Sequence, residues 1–511
     1  MKKPGAAGAV LSGKGLKWAL VALIDLALLY VVTLMYAQGE IAFALVILLL
    51  GGIGTWVFTS EKAYNFRYVY PSLLGVILFV VFPLIYTVNV AFTNYSSSNL
   101  LTFERVKQIH LAKRYQSGDD KYTLALYQSG ENYQLQLTDK DDNTRAFVTE
   151  GFAKSKEKLR INASQDIQPA GDKLAMRNVI KMRTSLKKLT VVLPDNRELV
   201  MTSLREFGAM APLFTEGEEG SLINNQTGSV AKPDFETGYY LDENGKTMTP
   251  GFTIYIGWDN FTKVLTDPGI QGPFLKIFTW TLIFAALTVV FTLVVGLLLA
   301  CLVQWEPLKE SGIYRVLLIL PYAVPAFISI LIFRGLFNQN FGEINMVLEA
   351  LFGISPEWFT NEYLAKSMIL MVNTWLGYPY MMILCMGLLK AIPEDLYEAS
   401  AIDGAGPIQN LMNITLPMII KPLTPLLIAS FAFNFNNFVL INLLTGGLPN
   451  MIGATTPAGA TDILVSYTFR IAFGQYGQDY GLASAIAALI FLVVGAIAWA
   501  NLKATRSVQE Q

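Results

Sequence analysis

Charge is scarce in this chain. Asp, Glu, Lys and Arg make up 15% of its 511 residues, against about 25% in soluble domains, so long stretches must lie out of water. The few charges nearly cancel, to a net −1, which argues against a nucleic-acid binder, since those concentrate cations on one face. Histidine occurs once, as His110 in a polar region, with no second histidine or cysteine pair beside it, so a metal centre has almost no ligands to draw on. The two cysteines, Cys301 and Cys385, each sit inside an apolar run and read as buried thiols, not as a disulfide framework. No internal repeat relates the first apolar runs to the later ones, which argues against the inverted repeats of many secondary transporters.

What the chain does have is apolar length: 53% hydrophobic residues and a mean hydropathy of +0.42. A bilayer core needs about 20 apolar residues in helix. Runs of that kind lie near 15–36, 41–60, 71–92, 276–303, 313–336, 367–391, 418–443 and 482–502, which makes eight spans. The fifth is expected to break at Pro321 and Pro325 and the seventh at Pro422 and Pro425; prolines are tolerated where neighbouring helices satisfy the freed carbonyls. The first run is too long for a signal peptide and no small-residue cleavage pattern follows it, so it reads as a retained anchor.

Short-loop cations set the orientation. Lys2, Lys3, Lys14 and Lys17 precede span one; Lys62 and Arg67 lie between spans two and three; Lys309 and Arg315 between four and five; Lys503 and Arg506 after eight. With eight spans these all fall on one side, so both termini are cytoplasmic and the long polar stretch 93–275 is outside. That stretch contains turn-rich, charged sequence at Gly118-Asp119-Asp120 and Asp139–Asn143. Between them runs period-2 alternation, through Tyr122, Leu124 and Leu126, then Tyr133, Leu135 and Leu137. Val191-Val192-Leu193 followed by Pro194-Asp195-Asn196 gives another strand and turn. The expected fold is therefore an all-α polytopic membrane protein of eight transmembrane helices carrying a large inserted, mostly β external domain. Residues 1–92 hold the N-terminus and spans one to three, 93–275 the external domain, and 276–511 spans four to eight.

The most specific signal follows span six. Pro393 suits the start of a helix, with Glu394 and Asp395 complementing its positive end. Gly404 and Gly406 are placed to stop it in left-handed conformations, and Pro407 opens a second helix that Ile414-Thr415-Leu416-Pro417 ends. Glu398-Ala399-Ser400, three residues, Gly404, nine residues, then Ile414-x-Leu416-Pro417 resembles the EAA loop of ABC importer permeases, with Ser400 where alanine is commoner. In that family the loop docks into a cleft of the cytoplasmic ATPase. Small Ala399 and Ser400 permit close approach, Glu398 offers a carboxylate, and Gly404 makes the corner.

Three flanking stretches are similar to the larger permease subunit of bacterial maltose/maltodextrin importers: Arg315–Pro325, Asn373–Tyr380 and Ser430–Asn437. Eight spans with a large domain after the third agree with that family, although the resemblance is one of size and placement across 100–250. It implies a non-catalytic inner-membrane subunit that binds no cofactor itself, ATP and magnesium being used by a partner ATPase dimer. The further partners implied are a second, smaller permease, a periplasmic maltose-binding protein, the maltose or maltodextrin cargo and the lipid bilayer; nucleic acid is not among them.

Ser430, Asn434 and Asn437 fall at i, i+4 and i+7 of span seven, bordered by Phe433, and Asn373, Gly377 and Tyr380 share that spacing in span six. Amides bond sugar hydroxyls in both senses, and rings cover the apolar faces of a pyranose. By resemblance, Gly377, Tyr380, Ser430, Phe433, Asn434 and Asn437 line the sugar site; by spacing alone the same amides would equally serve as interhelical glue. Two other features are set aside. Gly8, Gly13 and Lys14 mimic a P-loop, but Gly15 stands where serine or threonine belongs and no strand precedes it. Asp25, in the first span, has no evident partner and reads as structural or snorkelling. A proton- or sodium-coupled sugar transporter would need intramembrane carboxylates and repeat symmetry. A membrane-anchored assembly factor would leave the docking loop without a role.

Overall fold

The computed structural model describes residues 13–155, 157–474 and 478–509; Lys2, Lys3 and Gly8 lie outside the described residues. Two compact units separate, Met1–Ala91 with Ser484–Gln511, and Phe92–Ala483.

In the first unit the apolar runs form helices Gly13–Ala37, Ile41–Thr59 and Phe66–Ala91. The first two pack closely: a side chain at Gly51 would collide with Leu28. Asp25 has a partner there that the sequence did not reveal, since Thr55 Oγ1 donates to its Oδ1 at 2.6 Å across the hairpin. A carboxylate in a span is costly unless bonded, and a partner thirty residues away leaves no local signature. Arg67 donates to the carbonyls of Val57 and Ser60 (3.1 and 3.0 Å) and so caps the second helix. The third helix widens into a π turn at Ile77–Val81, two residues before Pro83. A wider turn relieves the clash between a proline ring and the carbonyl four residues back.

The second unit begins with the inserted domain. Its ingoing and outgoing segments pair at a neck, where Ile256 N donates to Phe92 O (2.8 Å) and Asn94 N to Ile254 O (3.2 Å). Above the neck lies a lobe built on helix Phe103–Leu111 and a five-stranded sheet. That sheet comprises β10 (Phe214–Glu216), β11 (Leu222–Asn224), β12 (Val230–Asp234), β13 (Tyr239–Leu241) and β14 (Thr247–Met248), after nine earlier strands given next. Val106, Phe214, Leu222, Tyr240 and Phe252 form its core. The sole histidine belongs to this core: His110 is fully buried against Phe214 and Tyr240. Burial, then the neighbouring Lys113 cation, push its pKa down to about 4.

Beyond lies a second lobe of β1 (Arg114–Ser129), β2 (Asn132–Asp139), β3 (Ala146–Thr149), β4 (Phe152–Ala153), β5 (Leu159–Ser164), β6 (Asp172–Lys173), β7 (Leu189–Val192), β8 (Glu198–Met201) and β9 (Glu206–Pro212). The order β2-β3-β5-β7-β8-β9-β1 closes on itself, because β1 pairs with both β9 and β2. Closure removes the exposed edges that open sheets must protect. The alternation in the sequence maps onto the β1–β2 hairpin, with Leu124 opposite Leu137 and Leu126 opposite Leu135, all four buried inside. Gly118-Asp119-Asp120 is not a turn but part of β1, at a register irregularity against β9 between Gln116 and Lys121. The crossover helix Met176–Leu186 joins the parallel strands β5 and β7 and lays Val179, Met182 and Leu186 on the barrel core.

Span four is a 37-residue helix, Pro268–Gln304, starting ahead of the apolar run and capped by Asp267 accepting from Gly269 N. At 1.5 Å per residue it is about 55 Å long, longer than a bilayer core. Span five is a bent pair, Ser311–Ala323 and Ala326–Leu336, turning by 91°. The break falls at Val324-Pro325, where the residue before proline is extended (ψ 130°), while Pro321 is accommodated inside the first helix. Span six is Glu362–Leu389. Span seven corrects the sequence reading: its helix runs from Pro407 through Pro422 and Pro425 to Phe435. It breaks instead at Asn436-Asn437, and Phe438–Leu444 is a separate helix whose first turn Asn437 caps. Among the described residues five helices can cross a bilayer alone and the bent pair makes a sixth; the shorter Phe43–Thr59 and Tyr480–Ala496 occupy the second and eighth expected runs. An unanticipated apolar helix, Leu464–Phe473, follows span seven. Its base is fixed by the fully buried Asp462, which accepts from Arg470 Nη1 (2.6 Å), Ser466 Oγ (2.8 Å) and Gly459 N (2.8 Å).

Candidate functional site

Spans four and six meet along small residues. Thr281, Ala285, Thr288, Thr292, Gly296 and Ala300 make one buried stripe of span four, and a Cβ at Gly296 would lie 2.8 Å from Met381 Cβ and Met382 N. Gly377 belongs to the same seam, since its Cβ would lie 2.8 Å from Thr292 Cγ2. Cys301 and Cys385 are free thiols in the apolar packing of these helices.

The amides of spans six and seven form a network there. Asn373, 5% exposed, donates through Nδ2 to Asn434 Oδ1 (2.8 Å) and Thr288 Oγ1 (3.1 Å). Asn434, also 5% exposed, donates in turn to Ser430 O (2.8 Å). Asn437 Nδ2 reaches Asn373 Oδ1 at 3.4 Å, longer than either bond that Asn373 itself donates. Asn373, absent from the sequence-based site, is therefore the hub; its i, i+4, i+7 spacing with Gly377 and Tyr380 was the available signal. Tyr380 and Phe433 are the site residues left open, 39% and 70% exposed. The six candidates thus divide into a polar frame (Asn434, Ser430 through its carbonyl and, more loosely, Asn437), a close-packing glycine and two open rings. None is charged, so the surface suits a neutral polyhydroxylated ligand better than an ion.

The hairpin after span six has the expected corner. Helix Glu394–Ile402 follows Pro393 and ends in a Schellman motif, with Ala405 N donating to Ser400 O (2.9 Å) and Gly404 N to Ala401 O (3.1 Å). Gly404 adopts φ +77° with nothing within 4 Å of a notional Cβ, so a side chain there would be opposed by backbone strain alone. Gly406 differs from expectation: it is extended (φ −79°, ψ 167°) and starts the second helix, its N–H donating to Gln409 Oε1. That second helix does not end at Pro417. A π turn at Leu411–Thr415 again stops two residues before the proline and carries the chain into span seven.

A pin the sequence did not disclose braces the hairpin: Tyr397 OH and Thr415 Oγ1 lie 2.8 Å apart. Outward, Glu398 and Ala399 are exposed, and Glu398 has no ion pair among the described residues. Ile402 and Ile408 are 88% and 77% exposed. Ser400 is half-buried, its hydroxyl donating back to Tyr397 O.

Three family descriptions match the chain. Residues 101–257 match the P2 domain of the maltose transport system permease protein MalF, 15–62 match the MalF N-terminal transmembrane helices, and 292–503 match the binding-protein-dependent transport system inner membrane component. The maltose/maltodextrin transport system permease protein MalF of Klebsiella aerogenes is 57% identical over 498 residues, covering 96% of each chain. Its counterpart in Escherichia coli K12 is 55% identical over 499 residues, again 96% of each. A solved bacterial ABC transporter that imports alginate is a distant likeness, 20% identical with a TM-score of 0.42, covering 50% of this chain and 84% of that one.

Proposed function

The chain belongs to the maltose/maltodextrin permease family of binding-protein-dependent importers, and on that premise we propose that it forms the larger half of an ATP-driven pathway for maltose and maltodextrins. It is a multi-pass, non-catalytic membrane component. The end-to-end identity of 57% over 96% of both chains carries this reading.

In the proposed arrangement both termini are cytoplasmic, as the short-loop cations favour, and the inserted domain is periplasmic. A second, smaller permease completes the pathway, a periplasmic binding protein delivers the sugar, and a cytoplasmic ATPase dimer supplies energy from ATP and magnesium. The 393–417 hairpin meets that ATPase through Glu398, Ala399 and Ser400, held at the corner by Gly404. Exposed Ile402 and Ile408 add apolar surface that a cleft would cover.

Within the membrane, Tyr380 and Phe433 stack on the sugar, Asn437 exchanges its long internal contact for a sugar hydroxyl, and Asn434, Ser430 and Gly377 hold the frame. The direct test is reconstitution with the partner subunits. Wild-type vesicles should take up labelled maltose only with ATP and binding protein. Gly404→Val, which forces a β-branched residue into a left-handed backbone, should insert normally but lose ATPase co-purification, uptake, or both. Wild-type values for both would remove the hairpin as the coupling element.

A further inference from the structure

Three joints separate the outer surface of the hairpin from span seven. The chain turns left-handed at Gly404, runs extended through Gly406 and widens into the π turn Leu411–Thr415 before the regular helix resumes at Leu416. A glycine corner gives freely, having no Cβ to restrain it, and a π turn departs from the regular hydrogen-bond ladder. A load on Glu398 and Ala399 that travelled along the backbone would be spent on these joints.

The bond between Tyr397 and Thr415 bypasses all three. It joins the first hairpin helix to the last residue of the π turn, 18 positions away, at 2.8 Å. Its sense follows from a neighbouring bond. Thr415 Oγ1 donates its one proton to Asn410 O at 3.2 Å, so Tyr397 supplies the proton of the shared bond. Thr415 is 4% exposed, and Tyr397 packs with Leu411 and Ile414 on a cluster that includes Ile419 and Leu423 of span seven. A buried hydroxyl has little water to turn to, which makes such a bond costly to open.

Spans four and six are already fixed to each other along their seam. At the hairpin end Gln304 Nε2 ties them again, donating to Met386 O at 2.7 Å. The hairpin follows span six in the chain, and the helix that leaves it is span seven, which carries Ser430 and Asn434 near its other end.

We propose that Tyr397 and Thr415 are positioning residues for coupling: their bond makes the first hairpin helix and span seven one rigid arm, so that ATPase movement at Glu398 and Ala399 shifts span seven instead of flexing the loop. The proposal rests on reading the hairpin as the ATPase contact. Each residue acts through the helix it holds.

Two measurements separate the bond from its use. In the full chain without partners, Tyr397→Phe and Thr415→Val should each quicken hydrogen exchange across 394–416 about fivefold, roughly what one hydrogen bond is worth. Thr415→Ser, which keeps the hydroxyl, should exchange as the wild type does. In the assembled transporter, reconstituted in vesicles with its binding protein, the ratio of ATP hydrolysed to maltose taken up is read. Both disabling variants should still co-purify with the ATPase, because Glu398, Ala399 and Gly404 are untouched, yet raise that ratio several-fold. The double variant should do no worse than either single one, as expected when both remove the same bond, and Thr415→Ser should restore the wild-type ratio. A merely structural bond would lower assembly and both rates together and leave the ratio alone. That result overturns the proposal, as do unchanged exchange in both variants and single-variant effects that multiply in the double. If the wild-type complex takes up no maltose while the exchange pattern holds, the bond stands but the proposed function fails, and the coupling role fails with it.

Discussion

The barrel of the inserted domain and the seam between spans four and six are both tightly packed, from opposite materials. The barrel encloses Tyr122, Leu126, Leu135, Leu137, Leu186 and Phe207, all under 2% exposed. The seam is threonine, alanine and glycine on span four, met on span six by Asn373, Gly377, Met381 and Met382. In water, burying apolar area is worth about 25 cal/mol per Å², so large side chains hold a core together. Lipid tails are as apolar as leucine, so helices there adhere through close backbone approach and polar bonds. A polar residue in a span therefore has two competing explanations, and a sugar surface is to be sought among the side chains that the seam leaves uncommitted.

The contrast can be broken at three strengths. Leu126→Ala should cost the barrel about 2–5 kcal/mol by opening a cavity, read as lost hydrogen-exchange protection across the inserted domain with the spans unaffected. A loss below about 1 kcal/mol would mean that the barrel is held by something other than its core. In the seam it is an added methyl that does the damage: Gly296→Ala should destabilise by about 1–3 kcal/mol through overpacking. Gly387→Ala, in span six with open space around it, should gain about 0.5–1 kcal/mol from helix propensity. Thermal melting of the two variants in detergent separates them, and equal shifts would deny the seam its close packing. Smallest, Asn373→Ala should lower stability by about 1 kcal/mol, whereas Tyr380→Ala and Phe433→Ala should melt normally and impair maltose uptake. A normally melting Asn373→Ala without uptake would turn the amide network from frame into binding site.

Much of this molecule was legible because it rests on local pattern. Eight apolar runs, the β1–β2 alternation and the helix-glycine-helix corner at Gly404 are each contained in a few tens of residues. What escaped depends on distant partners or on how a helix absorbs strain. Proline content pointed to breaks at Pro321, Pro325, Pro422 and Pro425; the chain does break at Val324-Pro325, but the other three prolines stay inside helices, span seven breaks at Asn436-Asn437, and π turns ahead of Pro83 and Pro417 let those helices continue. Thr55 beside Asp25, Thr415 beside Tyr397 and Arg470 beside Asp462 are each pairings that composition cannot announce. For the proposed site, the spacing grouped Ser430, Asn434 and Asn437 but could not show that Asn373 bonds Asn434 from another helix or that Asn437 sits at the break beyond Phe435.

The neck has a consequence for descent. Phe92 and Ile256 are joined by a single backbone hydrogen bond, so to the helices on either side the whole of residues 93–255 amounts to one tight turn. Insertions whose ends nearly touch are accepted without respacing the host. Lineages can therefore enlarge, trim or exchange this outer module while the translocating helices remain under their own selection, and a laboratory graft cut at the same two residues should inherit that freedom.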